Sequence, residues 1–275
     1  FHTPDPAAVV FPRCIEQIQE LVGLARAENL DLVPSGGRTG MSGGACATNH
    51  EIVVSFEKMN AITGFDANDT TSTDEPGVIT ANLQGYAADN GLYYPVDFGS
   101  SGSSHIAGNI ATNAGGIRVI RYGMTRDWVG GLKVITGTGD LLDLNRGLIK
   151  NNTGYDLRHL FIGSEGTLGF IVEATMKLTD QPLDAAIVVL ALPKMSACLS
   201  VLQIFRRDLV LNAFEFFSDN ALEKVISTTG MARPIAAHSP YYVLLEFEQN
   251  DATSMNRAEA ALSGLGFTEE EHHRE

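Results

Sequence analysis

Between Ser35 and Gly44 the chain runs Ser-Gly-Gly-Arg-Thr-Gly-Met-Ser-Gly-Gly, five glycines in ten positions. Residues without a Cβ let a backbone take positive φ and come close to a ligand, and successive N–H groups can turn inward as an anion nest. The loop therefore reads as a phosphate holder, with Arg38 as its local cation and Gly37 as the point of close approach. A second polar cluster follows about sixty residues later: Gly99-Ser-Ser-Gly-Ser-Ser-His105-Ile-Ala-Gly108-Asn-Ile-Ala-Thr112-Asn113-Ala-Gly115-Gly116. Two such loops with an ordinary folded stretch between them suit one extended polar ligand gripped from two sides. A large nucleotide has that shape.

The elements that must carry these loops are legible from apolar spacing. Ile15, Ile18, Val22 and Ala25 recur at helical intervals over Cys14–Arg26, and Leu30–Val33 then reads as a buried strand leading into the first loop. Glu51–Ser55 reads as another strand, and Thr80–Asn90 as a helix stopped by Gly91. Gly131–Thr136 and Leu141–Leu144 flank Gly137-Thr-Gly-Asp140 as a hairpin, Asp156–Phe161 gives a helical turn or two, and Leu168–Leu178 alternates as a half-buried strand. After Gln181-Pro182 the glycine density falls. Strands at Ala185–Leu192, Ala213–Phe217 and Tyr241–Glu248 then alternate with helices at Lys194–Arg207, Asp219–Ser227 and Ala252–Ser263. The expected fold class is α+β over residues 1–182, followed by an α/β domain over 183–275.

Composition narrows the function. The chain has 275 residues, 44% of them hydrophobic, which is ample for a packed core, and a net charge of -14. Such a charge offers no broad basic surface for nucleic acid or anionic lipid, so any anion must be held locally. Cys14, Cys46 and Cys198 are odd in number and far apart, which fits reduced thiols in a cytoplasmic setting rather than a disulfide framework. No stretch is long and apolar enough for a bilayer span. Phe1 in place of a methionine, and the unterminated end Glu-Glu-Glu-His-His-Arg-Glu, read as a fragment of a longer polypeptide.

The glycine loops match neither the P-loop ending Gly-Lys-Ser/Thr nor a Gly-x-Gly-x-x-Gly opening a helix. The ordered set of motifs is more specific. Pro34-Ser-Gly-Gly-Arg-Thr-Gly40, Asp97–Asn109, Ala111-Thr-Asn-Ala-Gly-Gly116, Arg121-Tyr-Gly123, Asn152-Thr-Gly-Tyr-Asp-Leu157 and Phe161-Ile-Gly-Ser-Glu-Gly-Thr-Leu-Gly169 occur in this order. Together they resemble the FAD-linked oxidase family with the vanillyl-alcohol-oxidase (PCMH-type) flavin fold, in its branch of D-2-hydroxy acid dehydrogenases. The resemblance is strong over residues 8–182. It weakens through Ala213-Phe-Glu-Phe-Phe217 and Pro240-Tyr-Tyr-Val-Leu-Leu-Glu246, which look like the start of the substrate (cap) domain.

The resemblance implies a two-subdomain FAD-binding domain with Ser35, Gly36, Gly37, Arg38, Thr39, Gly40 and Gly43 around the pyrophosphate. Gly102, Ser103, Gly108, Asn109, Thr112 and Gly115 would line the ribityl chain and flavin, with Gly166 and Ile171 on the adenosine side. Relatives with covalent flavin carry a histidine in the first loop where this chain has Arg38, so FAD is expected to be non-covalent. His105 offers a base or an attachment point, with a hydrogen-bonded structural role as the plainer reading. Arg121 and Tyr122 either face substrate or anchor their own loop.

The implied reaction is oxidation of a D-2-hydroxy acid, of the D-lactate, D-2-hydroxyglutarate or glycolate class, with hydride passing to flavin N5. Electrons would leave through a quinone, a cytochrome or an electron-transfer flavoprotein, and a homodimer is compatible. The family's metal and substrate motifs, His-x-x-Gly-Asp-Gly-Asn and Glu-His-Gly, do not occur in this sequence. A divalent metal would belong with them, and adjacent His272 and His273 lack ligand spacing. The chain thus reads as the flavin half, catalytically incomplete by itself. Two alternatives stay open: a flavin-binding or electron-transfer module without its own substrate site, and a flavin-dependent synthase of the same fold.

Overall fold

The computed structural model describes residues 3–236, 238–249 and 253–265, and the backbone of 272–274. The chain forms two compact units, Phe1–Gly116 with Met124–Gln181, and Ile117–Gly123 with Pro182–Glu275. The segment Ile117–Gly123 goes with the second unit, which apolar spacing gave no means of seeing.

The first unit holds two main sheets. In the smaller, β1 (Ala8–Val10) and β2 (Leu32–Ser35) both pair in parallel with β3 (Ile52–Ser55), in the order β1-β3-β2. Helix α1 (Ile15–Glu28) carries the chain from β1 across β3 to β2; its Ile18, Val22 and Ala25 are buried and its end is turned by Asn29 in the left-handed region, φ 54. The larger sheet is antiparallel. It is built from β4 (Ile62–Asp66), β5 (Thr71–Asp74), β7 (Val129–Thr136), β8 (Leu141–Leu144) and β9 (Gly169–Lys177), in the order β4-β5-β9-β7-β8. The short β6 (Leu92–Tyr93) pairs with β10 (Thr179–Asp180). Helices α2 (Thr80–Asp89) and α3 (Ile106–Thr112) bury Leu83, Ala87, Ile106 and Ile110 in a core with Leu132, Val134 and Met176 of the larger sheet. Ile18 and Val54 of the smaller sheet's layer meet Ile135, Phe170 and Val172 of the larger in a second core, which fixes one sheet against the other. The one-turn helices α5 (Thr125–Trp128) and α6 (Arg158–Phe161) complete the unit.

The second unit contains helix α4 (Val119–Tyr122) and a four-stranded antiparallel sheet, β12-β13-β11-β14. Its strands are β11 (Ala185–Leu192), β12 (Leu211–Ser218), β13 (Tyr241–Glu248) and β14 (His272–Arg274). β13 lies between β11 and β12 and is antiparallel to both, so the unit β11-α7-β12 is a split βαβ. Helices α7 (Ala197–Asp208) and α9 (Ser254–Leu265) cover Ala186, Val188, Leu190 and Leu192 of β11, while α8 (Asp219–Thr229) covers Val189 and Ala191 on the other face. A strand buried on both faces reads as an unbroken apolar run, which is how Ala185–Leu192 reads.

β5 is the least expected element. Thr-Ser-Thr-Asp has no apolar alternation, yet it sits inside the larger sheet between β4 and β9, and Ser72 and Asp74 are fully buried. Ser72 Oγ donates to Asp74 Oδ2 at 2.7 Å, while Asp74 Oδ1 and the buried Tyr94 hydroxyl have no hydrogen-bond partner. Burial pushes the Asp74 carboxyl up to about 7 against the opposing effect of the Ser72 hydrogen bond, and pushes the Tyr94 hydroxyl up as well. A carboxyl raised in the folded state stabilises the fold least when it must ionise. The Asp74 contribution to stability is therefore full below the ordinary carboxylate pKa, about 4, falls by up to about 4 kcal/mol as pH rises to about 7, and levels off above. Asp74→Asn, which keeps the acceptor for Ser72, should flatten this dependence and raise the urea midpoint at alkaline pH. Parallel urea melts across that pH range decide it, and an unchanged profile in Asp74→Asn would remove Asp74 as the cause.

Candidate functional site

β2 ends at Ser35, whose carbonyl accepts from the Phe56 N–H at 3.2 Å, so the chain leaves the sheet at a fixed point and enters the first glycine loop. In that loop the left-handed backbone is at Arg38, φ 57, and Gly43, φ 83. Gly37 is needed for a different reason from the one expected. A Cβ there would lie 2.1 Å from the Ser103 carbonyl oxygen and 2.9 Å from Ser104 Cα, so the missing side chain lets the two glycine loops touch each other. Its φ is not in the left-handed region. Gly116 closes the second loop in the same way, since a Cβ would fall 1.9 Å from the Asp97 carbonyl oxygen.

The second loop is tied to α2. Thr80 receives Asn109 Nδ2 on its hydroxyl at 2.7 Å, shares a 2.7 Å hydrogen bond with Ser104 Oγ, and donates its N–H to the Ser104 carbonyl. A third segment docks on α3: the Gly163 N–H donates to the Ile110 carbonyl at 3.0 Å and the Glu165 N–H to the Ala111 carbonyl at 2.8 Å. Gly166, φ 81, packs where its Cβ would be 2.4 Å from Pro34 Cγ, which joins this segment to the end of β2.

The three segments enclose a cleft of about 410 Å³, within the usual range for a small-molecule site. Gly36, Gly37, Arg38, Thr39, Gly40 and Gly43 line it from the first loop, Gly108, Asn109, Thr112 and Gly115 from the second, and Gly166 and Ile171 from the third. Ser35, Gly102 and Ser103 are not among the lining residues. Ser35 is fully buried with its Oγ unpartnered, and Ser103 is engaged through its backbone carbonyl with Gly37. Sequence reasoning missed the apolar wall, Phe56, Pro76, Phe98 and Phe170, because each looks like ordinary core beside a strand or glycine. It also missed Ser100 and Cys46.

Several features fit a bound dinucleotide. Gly40, Gly43 and Gly108 border the cleft with no protein atom within 4 Å of where a Cβ would stand, so the space beside the backbone is left for a ligand. The apolar wall suits the face of a ring. Arg38 supplies a cation, although its Nη2 also donates to Glu57 Oε1 at 3.0 Å. His105, the residue before α3, is only 8% exposed and lines the cleft, and its Nδ1 has no hydrogen-bond partner. The hydrogen-bonded role expected for His105 is not met at that atom.

The profile described as FAD binding domain matches residues 6–145, and that of FAD linked oxidases, C-terminal domain, matches residues 181–271. The chain belongs to the FAD-linked oxidase family. Its cofactor is FAD. A protein of Stutzerimonas stutzeri named D-2-hydroxyglutarate dehydrogenase is 58% identical over 260 residues, 94% of this chain and 55% of that protein. One of Xanthomonas citri pv. viticola with the same name is 52% identical over 259 residues, again 94% and 55%. The mitochondrial enzyme so named from Bos taurus is 37% identical over 86% of this chain and 43% of its own. The chain spans about half the length of these curated relatives. Among solved structures, an alkyldihydroxyacetonephosphate synthase superposes with a TM-score of 0.76 at 23% identity, over 94% of this chain and 51% of that one, which establishes the fold.

Arg121 and Tyr122 belong to the second unit of this oxidase-family chain and are not among the residues lining the cleft. Arg121 Nε donates to Glu248 Oε1 of β13 at 3.1 Å, and its guanidinium lies 5.4 Å from the Tyr122 ring centroid. Arg118 pairs with Glu246 at 3.2 Å. These pairs support the loop-anchoring reading of Arg121. Asp219, Glu223 and His238 bring ligand atoms within 4.8 Å of one another, but Arg233 pairs with both carboxylates and occupies the place a cation would take. The side chains of His272 and His273 lie outside the described residues.

The cleft geometry separates two kinds of glycine. Gly108→Val adds a side chain into open space and should leave the melting temperature within about a degree or two of the parent while weakening FAD binding by on the order of 100-fold. Gly37→Ala forces the two loops apart, so it should lower stability by about 1–3 kcal/mol and weaken FAD binding as a consequence. Thermal melts beside titrations of FAD fluorescence quenching distinguish them. FAD held by Gly108→Val as tightly as by the parent would mean that the cleft is not the site.

Proposed function

We propose that this chain is the flavin-binding part of an FAD-dependent D-2-hydroxy acid dehydrogenase whose substrate is D-2-hydroxyglutarate. The observation that carries the reading is the pairing of 52–58% identity to proteins of that name with a cleft whose open glycines leave room for the dinucleotide. FAD is held non-covalently, because the first loop presents Arg38 where an attachment residue would stand. Bound FAD supplies a two-electron acceptor for the hydride of the substrate carbon.

The chain's own residues bind and orient. The backbone from Gly36 to Gly44 and Arg38 offer donors and charge to the phosphates, and Phe56, Phe98 and Phe170 keep water from the wall of the cleft. Substrate carboxylates need cations that are free to receive them. Arg38, Arg118, Arg121 and Arg233 each already pair with a carboxylate, so we assign the substrate clamp and the base that removes the hydroxyl proton to the portion of the relatives that this chain does not match. Delivery of the electrons to a quinone, a cytochrome or an electron-transfer flavoprotein, a cytoplasmic location and a homodimer complete the proposal. The free state of Cys14, Cys46 and Cys198 supports a reducing compartment.

Anaerobic stopped-flow bleaching of the flavin tests this. The FAD-loaded chain and a fusion carrying the unmatched C-terminal portion of the Stutzerimonas relative are mixed with D- and L-2-hydroxyglutarate, D-lactate and D-malate. The fusion should be bleached fastest by D-2-hydroxyglutarate, and the chain alone should be slower by a factor of about 10² or more, the scale of losing an electrostatic clamp. Equal bleaching by both would place the clamp within residues 1–275. No bleaching of the fusion by any D-2-hydroxy acid would overturn the substrate class, and flavin that stays with acid-precipitated protein would overturn non-covalent binding.

A further inference from the structure

His105 is a buried ionisable group in the cleft lining whose role the flavin reading leaves open. It precedes α3 with extended backbone, φ -98 and ψ 143, and its carbonyl accepts from the Asn109 N–H at 2.9 Å, so the residue is fixed in place by the helix. Its side chain lies against the first glycine loop: a Cβ on Gly36 would be 3.5 Å from His105 Cβ. The imidazole is therefore held beside the loop whose backbone faces the phosphates.

The charges around it do not balance an incoming diphosphate. Among the described residues lining the cleft, Arg38 is the only lysine or arginine and Glu165 the only carboxylate. Arg38 is paired with Glu57, which is not among the lining residues. Arg38 and Glu57 cancel, and Glu165 adds a negative charge. A ligand carrying two phosphate charges thus enters a partly apolar cleft with backbone N–H groups for partners and no net cation, an arrangement that costs free energy unless a positive group appears nearby. Of the groups lining the cleft, the His105 imidazole is the one that can supply it by taking up a proton.

We propose that His105 takes up a proton when FAD binds, its imidazolium then pairing with the anionic diphosphate. This rests on the reading that the cleft takes FAD. In the free protein the imidazole is held neutral at physiological pH, since burial lowers its pKa below the usual histidine range and Arg38 lowers it further, against the opposing pull of Glu57. The diphosphate raises it again. A group whose pKa is higher in the complex than in the free protein favours binding fully below the free-state pKa, and that advantage is lost as pH rises through the bound-state pKa. FAD affinity should therefore be constant in mild acid and fall by up to about tenfold per pH unit between the two values. Neither the phosphodiester oxygens nor the flavin ring titrates in that interval, so the proton count belongs to the protein.

The test uses the flavin-free chain. FAD is titrated calorimetrically near neutral pH in two buffers of different ionisation heat, and by fluorescence quenching from about pH 5.5 to about pH 8.5, where histidine titrates. Nitrogen shifts of histidine-labelled protein report the state of the His105 ring directly in the free and bound forms, without any variant. The expected result is uptake approaching one proton per FAD, an imidazolium signature at His105 only in the complex, and loss of both uptake and pH dependence in His105→Gln. Tight FAD binding with no uptake and a neutral His105 would overturn the proposal and leave the FAD site intact. Uptake that persists in His105→Gln would overturn it in favour of another group. Failure of the wild-type chain to bind FAD at any pH would overturn this inference and the FAD site together.

Discussion

The contact on which the cleft depends is the one between Gly37 and the Ser103 carbonyl. A Cβ on Gly37 would lie only 2.1 Å from that oxygen, so no residue other than glycine leaves the two loops where they are. The rest of the site follows from it. Gly36 then lies against His105, the start of α3 is fixed, and the ends of α3 present Ile110 and Ala111 to the Gly163–Glu165 segment, which in turn packs Gly166 on Pro34. The ring of contacts closes on β2, where it began. Apart from Gly36 against the His105 side chain, each step is backbone against backbone or against a rigid proline, so displacement at one point is passed on to the next.

This arrangement divides the glycines by function. Gly37, Gly116 and Gly166 make room for protein, whereas Gly40, Gly43 and Gly108 leave room beside the chain where a ligand can lie. Composition alone treats them as equivalent. The loops, their order and the cofactor were legible in the sequence because glycine, serine and threonine at high density have few other uses. Which glycine touches which partner was not, because that depends on the approach of segments far apart in the chain. The same limit explains Ser103, whose carbonyl serves as the seat for Gly37. It also explains β5, where a polar strand is buried by its neighbours β4 and β9 rather than by its own pattern.

The second unit shows the complementary case. Its strands and helices were readable from residue 183 onward because β11 and β13 are strongly apolar and α7 and α8 are amphipathic. The membership of Ile117–Gly123 was not, because it rests on α4 lying against β12 and on the Arg118–Glu246 and Arg121–Glu248 pairs, which join segments far apart in the chain. Glu246 and Glu248 are nearly buried, and a buried carboxylate left without its arginine costs more than an exposed ion pair gains. Arg121 therefore has structural employment that its neighbourhood of glycines did not reveal, and it is a poor candidate for holding a substrate carboxylate.

The central claim is that three separate segments close around one dinucleotide. Backbone amide hydrogen exchange, measured on the chain with and without FAD, reads all three at once. The account predicts joint protection on FAD binding across residues 36–44, 103–115 and 163–171, with little change in β12 and β13. Protection confined to one of these segments, or centred in the second unit, would contradict it.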